Sequence, residues 1–151
     1  MTIEKAIQQK TPFRNEYQRV AVNLIYTANW LTERFKAHLK PFDITLQQYN
    51  VLRILRGAGK PLSTSDIRDR MLDKMSDTSR MVDRLCQKGL VARTICPNDK
   101  RLVDVTLTPD GFAFMNQLDQ LDGDLDITLH TLSREEADQL SRLLDTLRGG
   151  D

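Results

Sequence analysis

At Gly89 the hydrophobic repeat changes from helical to alternating, and a chain with that break cannot be a pure helix bundle. Beyond it, Val103, Val105 and Leu107 fall on one side of an extended segment and Leu102, Asp104 and Thr106 on the other. That is the pattern of a strand with one face on a core. Residues 90–96 are its partner. Pro97 removes a donor from the ladder and helps to end the pairing, which leaves Asn98, Asp99, Lys100 and Arg101 as the loop of a hairpin. Closing such a turn requires only Asn, Asp or Gly, so three charges held at the tip ask for another use.

Helical periods surround the hairpin. Over residues 13–39, Tyr17, Val20, Leu24, Ala28, Leu31 and Phe35 recur at steps of three or four, an apolar stripe that Pro41 stops. Thr45 and Gln48 fit a capping box for a helix to about residue 56, ended by Gly57 or Gly59, with Tyr49, Leu52 and Leu55 inward. Ser63 and Asp66 repeat the cap and open a short helix to about residue 72, with Ile67 and Met71 inward. After a turn near 73–76, a second helix over 77–88 buries Val82 and Leu85. Thr108, Pro109 and Asp110 start a long helix marked by Phe114, Leu118, Leu121, Leu125 and Leu129. Ser133 and Glu136 cap the last one, striped by Ala137, Leu140, Leu144 and Leu147. The expected class is mainly α with a small β-hairpin, in one domain.

Two short helices joined by a tight turn make a helix-turn-helix, and the charged hairpin follows directly. Charge is distributed accordingly. Residues 1–49 carry 7 basic and 4 acidic side chains, 50–101 carry 12 and 6, and 102–151 carry 3 and 11. The net charge of +1 therefore hides a basic middle suited to a polyanion and an acidic end. Arg80 and Arg84 share a face of the second helix, away from Val82 and Leu85. Ser76, Asp77, Thr78 and Ser79 stand at its start, which can enter a major groove, where arginine pairs with guanine. The hairpin tip is narrow enough for a minor groove, and there Arg101 reads width and potential while Asp99 holds its guanidinium. The plainer alternative is a solvated helix face and a hairpin whose charges only keep it soluble. The long end helices each carry an apolar stripe, so they are expected to pack on one another and on a second copy of the chain, making a homodimer instead of a monomeric bundle.

The stretches "SRMVDRLCQKGLV" and "PNDKRLVDVTLTPDG" resemble the recognition helix, wing and following helix start of the MarR family of winged helix-turn-helix regulators, most specifically at Asp99, Arg101, Leu107, Thr108 and Gly111. The resemblance in helix order extends over nearly the whole chain. It implies a single MarR-type domain over 1–151, with dimerisation helices over about 13–40 and 109–148 and a winged DNA-binding lobe over about 45–108. It implies a sequence-specific regulator of double-stranded DNA, a repressor on a palindromic operator, released by a small aromatic or phenolic effector. The family's wing Asp and Arg map onto Asp99 and Arg101, its recognition positions onto 76–80 and Arg84, and its phosphate-touching positions onto Ser63, Thr64 and Ser65. For the effector the candidates are Tyr26, Trp30, Phe35 and His38, each of which can equally be core packing or, for the histidine, a surface group. Cys86 and Cys96 lie near the DNA-facing parts, but the family's sensor cysteine near the N-terminus has no counterpart, so packing is the reading for both.

Catalysis finds no constellation in the sequence. His38 and His130 are far apart, the acids Asp122 and Asp124 sit on a helix read as solvated, and there is no phosphate loop, metal-ligand spacing or nucleophile motif. No cofactor or metal is expected. No window is apolar enough for a membrane span, the start of the chain lacks a signal-peptide core and two cysteines are too few for a disulfide scaffold, so the expected compartment is the cytoplasm. The rival class is a winged-helix module that binds protein without operator specificity.

Overall fold

The computed structural model describes residues 1–150, apart from the side chains of Leu121, Asp122, Asp124 and Leu125. The stripe leucines Leu121 and Leu125 and the acid pair Asp122 and Asp124 thus lie outside the described residues. The order is α1 (Ile3–Ala6), α2 (Glu16–Leu39), a 3-10 turn (Lys40–Phe42), α3 (Leu46–Ala58), β1 (Leu62–Ser63), α4 (Thr64–Arg70), α5 (Thr78–Gln87), β2 (Val91–Cys96), β3 (Asp99–Leu107), α6 (Pro109–Leu129) and α7 (Arg134–Leu147). Among the described residues no helix is long and apolar enough to cross a membrane.

Local chemistry sets the boundaries. Three reciprocal capping boxes open α3, α4 and α7, each with the hydroxyl of Thr45, Ser63 or Ser133 accepting from the amide three residues on and that residue's side chain accepting in return. Asn15 caps α2, and α3 runs to Ala58 because Gly59, not Gly57, takes the left-handed conformation (φ 62°). Gly89, at φ 74°, turns the chain from α5 into β2. The Thr108 side chain ties that corner together: it donates to the Gly89 carbonyl at 2.6 Å and accepts from the Gly111 amide at 3.0 Å. Gly111 is required here for space, since a Cβ would stand 2.1 Å from the Leu90 carbonyl oxygen.

Two elements were not expected from the sequence. α1 lays Ile3 into a buried position and Arg19 of α2 donates to Glu4 at 2.6 Å, holding that carboxyl below the usual range. β1 pairs antiparallel with β3, Leu62 opposite Val105, so the hairpin becomes a three-stranded sheet in the order β1-β3-β2. The hairpin tip also differs. Only Pro97 and Asn98 form the turn; Asp99 pairs with Cys96, and the register then jumps to Ile95 opposite Val103. Lys100, Arg101 and Leu102, expected partly as loop, are strand residues without a partner in β2, which is a bulge and frees their side chains.

The core lies between α3, α4, α5 and the sheet: Leu52, Leu55, Leu62, Ile67, Met71, Val82, Leu85, Val91 and Val105, closed by Leu39 from α2 and Met115 and Leu118 from α6. Each such side chain contributes roughly 1.5–3 kcal/mol on burial. The edge-on pair Phe42 and Phe114, with centroids 6.3 Å apart, and the Arg56–Asp119 pair at 2.8 Å fasten α6 to the lobe.

Candidate nucleic-acid interface

α5 is amphipathic in a way that leaves one face unclaimed by the core. Val82 and Leu85 are fully buried, whereas Ser79, Arg80 and Arg84 are exposed. Asp77 is the N-cap: its Oδ1 accepts from the Arg80 amide at 3.1 Å and its Oδ2 stands 3.9 Å from Arg80 Nε. The carboxylate therefore spends its acceptor capacity on the helix start and orients Arg80 loosely along it.

Thr78 does not share that face. It is 1% exposed, because at the first turn it falls in the same stripe as Val82 and Leu85, spaced by four and three residues. A base-contacting place for Thr78 is thus corrected to a core place. Its Oγ1, and Ser76 Oγ beside it, are buried with no hydrogen-bond partner among the described residues.

The wing carries the second group. Asp99 Oδ1 accepts from the Arg101 amide at 3.0 Å and from Arg101 Nε at 3.3 Å, so one oxygen fixes both the backbone and the guanidinium of a side chain that is 91% exposed. Asn98 and Lys100 are exposed beside it. At the base of the hairpin, Arg93 Nη2 donates to Asp83 Oδ1 of α5, and that carboxylate raises the Arg93 pKa above the usual arginine value. Sequence reasoning missed this link, although an acid and a base ten residues apart across a helix-turn-strand corner were there to find. Ser63 and Thr64 are half-buried and Ser65 exposed at the start of α4, where the Ser63 hydroxyl oxygen is engaged with the Asp66 amide at 3.0 Å.

The effector candidates do not converge. Tyr26 and Trp30 lie on the open side of α2, with the Arg34 guanidinium 4.6 Å over the indole, whereas Phe35 and His38 are half-buried. At about 100° per residue, position 35 faces roughly opposite to 26 and 30, and position 38 stands about a quarter to a third of a turn away from them. A cleft of about 810 Å³ between the ends of α2 and α5 and the start of α3 contains none of the four; Lys36, Lys40, Arg84 and Lys88 line it. Cys86 and Cys96 are both free and half-buried. Among the described residues no group of three or more His, Cys, Asp or Glu could hold a metal ion.

The MarR family model matches residues 44–103, the span from just before α3 to the wing. The multiple antibiotic resistance protein MarR of Salmonella typhimurium is 40% identical over 101 residues, 66% of this chain and 69% of that protein. A cysteine mutant of MarR from E. coli, solved in complex with operator DNA, superposes with a TM-score of 0.78 at 33% identity, covering 91% of this chain and 99% of that one. BpsR of Bordetella bronchiseptica, solved in a study of how 6-hydroxynicotinic acid regulates its DNA binding, gives 0.80 at 25% identity over 93% and 100% of the two chains. With 40% identity spread over more than two thirds of a curated relative and the same winged architecture, this chain belongs to the MarR family of winged-helix transcriptional regulators.

Proposed function

We propose that this protein is a cytoplasmic transcriptional repressor that binds a palindromic, double-stranded operator as a homodimer and leaves it when a small effector binds. It is a DNA-binding regulator and not an enzyme. In this reading α2, α6 and α7 form the dimer interface and residues 45–108 the DNA-binding lobe. The start of α5 enters the major groove, with Ser79, Arg80 and Arg84 toward bases and phosphates. Ser63, Thr64 and Ser65 meet the backbone, and Asn98, Lys100 and Arg101 reach the adjacent minor groove. Asp77 and Asp99 act indirectly, by fixing the helix start and the Arg101 side chain. The observation that carries the reading is the pairing of Asp99 with an otherwise free Arg101 on a wing beside an unclaimed basic helix face.

The test is fluorescence anisotropy on DNA from upstream of its own gene against a shuffled duplex, over a salt series. A dimer displacing about six or more counterions loses affinity by orders of magnitude between low and moderate salt. Arg101→Ala should weaken binding to many sequences and flatten the slope, while Arg80→Ala should also blur discrimination at a base position, by about 1–3 kcal/mol. An unchanged dissociation constant in both variants rejects the site, and no sequence preference with no salt slope favours the protein-binding module.

A further inference from the structure

β2 and β3 are in register with Val91 opposite Leu107, Arg93 opposite Val105 and Ile95 opposite Val103. Directly opposed residues share a face of an antiparallel pair, and Val105 is wholly buried. Arg93 therefore lies on the helix-facing side of the sheet. Along that side burial falls from Val91 at 3% to Ile95 at 66%, so the hydrophobic core ends where Arg93 stands. Its guanidinium donates to Asp83 of α5 at that border. Among the described residues this is the one side-chain hydrogen bond joining α5 to the hairpin beyond the core.

From this geometry we infer that Asp83 and Arg93 are positioning residues: their ion pair is a strut that sets the angle of the wing against the recognition helix, and so the placement of Arg101 relative to Arg80. The inference rests on the DNA-binding reading above. From Arg93 to Pro97 the hairpin extends about 13 Å at the usual strand rise. A tilt of about 10° at the base then moves the tip by roughly 2 Å, a third of the width of a minor groove of about 6 Å. No core side chain beyond Val91 resists that tilt, because Ile95, Leu102 and Val103 are all exposed.

Electrostatics and positioning predict opposite signs for one substitution. Asp83 is an acid one helical turn from Arg80, so Asp83→Asn raises local positive potential and, on charge alone, tightens binding to a polyanion. If the carboxylate holds the wing, the same change weakens operator binding, by about fivefold for a residue that touches no DNA.

The experiment uses the full-length protein and the tightest duplex that wild type recovers from a random pool. Binding of Asp83→Asn and of the exchanged pair Asp83→Arg with Arg93→Asp is measured by anisotropy, hydroxyl-radical footprinting reports the wing's minor-groove protection, and amide exchange over residues 94–103 is followed without DNA. Weaker binding by Asp83→Asn, lost protection at the wing position alone, faster exchange over 94–103 and recovery in the exchanged pair are the expected results. Equal or tighter binding by Asp83→Asn, exchange unchanged over 94–103, or a uniform loss that the exchanged pair does not restore would overturn the strut. Failure of wild type to select any duplex counts against the DNA-binding reading, and the exchange measurement still decides the strut.

Discussion

The winged lobe and the long end helices draw on the same stock of leucine and valine but differ in how much of it one chain covers. In the lobe, Val51, Leu52, Ile67, Val82, Leu85 and Val105 are at or near zero exposure. α2 buries only Leu39 and α7 buries nothing, while Tyr17, Ile25, Ile127, Leu143 and Leu147 are 59–84% exposed on the end helices. Apolar stripes of that length left uncovered mark an interaction surface. The lesson is one of completeness: the lobe closes its core within one chain, whereas the end helices leave their apolar stripes open on the faces where the proposed homodimer places a second copy.

The largest effect should come from breaking that second half. Leu140→Asp with Leu147→Asp places two charges on the α7 stripe, where both leucines are exposed in the single chain. Sedimentation should then report a monomer, and operator affinity should fall by about 100-fold or more as bivalent binding is lost. Far-UV circular dichroism should keep the lobe's signal. A variant that still sediments as a dimer would mean that α7 is not part of the interface.

In the lobe the damage should be independent of partners. Leu85→Ala removes a wholly buried side chain of α5 and should cost about 2–5 kcal/mol. Its melting temperature should fall equally at low and high protein concentration, unlike the α7 variant. At the seam between the two regions, Gly111→Ala drives a methyl into the Leu90 carbonyl and should cost about 1–3 kcal/mol. Because Gly111 sits where α6 leaves the sheet, it should also loosen α6 against the lobe, read as faster amide exchange near Thr108. A Gly111→Ala protein as stable as wild type would show that this corner can yield.

What the sequence made legible were features fixed by neighbours a few residues away. The three capping boxes, the Gly89 turn, the Thr108–Pro109 helix start and the Asp99–Arg101 pair all join residues no more than three positions apart, and the structure contains each of them. What escaped was fixed by distant partners. β1 is two residues long and is a strand only because β3 lies beside it; α1 is four residues, too short for any period. The bulge that frees Lys100 and Arg101 depends on a register that no local pattern specifies. Thr78 was within reach, since its spacing to Val82 and Leu85 matches the inward stripe, but a hydroxyl at a helix start reads as a cap or contact before it reads as core. The effector candidates illustrate the limit from the other side. Aromatic residues on α2 can be named from sequence, but whether Tyr26 and Trp30 meet Phe35 and His38 depends on helix phase and on what covers the open face.

The smallest effect lies in the cap of α4, and it separates the two regions by pH. Ser63 Oγ accepts from the Asp66 amide at 3.0 Å, and the Ser63 amide donates to Asp66 Oδ2 at 3.2 Å. The Asp66 carboxyl is held below the ordinary aspartate range, first by the Ser63 side chain and then by the Ser63 backbone. A depressed native pKa means that the unfolded state takes up the proton first as pH falls, so the stabilisation is fully present above the unfolded value and disappears as pH drops through the native one. Asp66→Asn keeps the shape and removes the charged acceptor. Melts of the two proteins should differ slightly at neutral pH, by less than for Leu85→Ala, and should converge in acid below the native Asp66 range. The same hydroxyl cap opens α7, with the Ser133 amide donating to Glu136 at 2.8 Å, but there Ser133→Ala should show its cost as a concentration-dependent loss, because in the proposed dimer α7 is held by the partner. A difference for Asp66→Asn that widens toward acid would remove the cap as its source, and a Ser133→Ala cost indifferent to protein concentration would mean that α7, like the lobe, is complete within one chain.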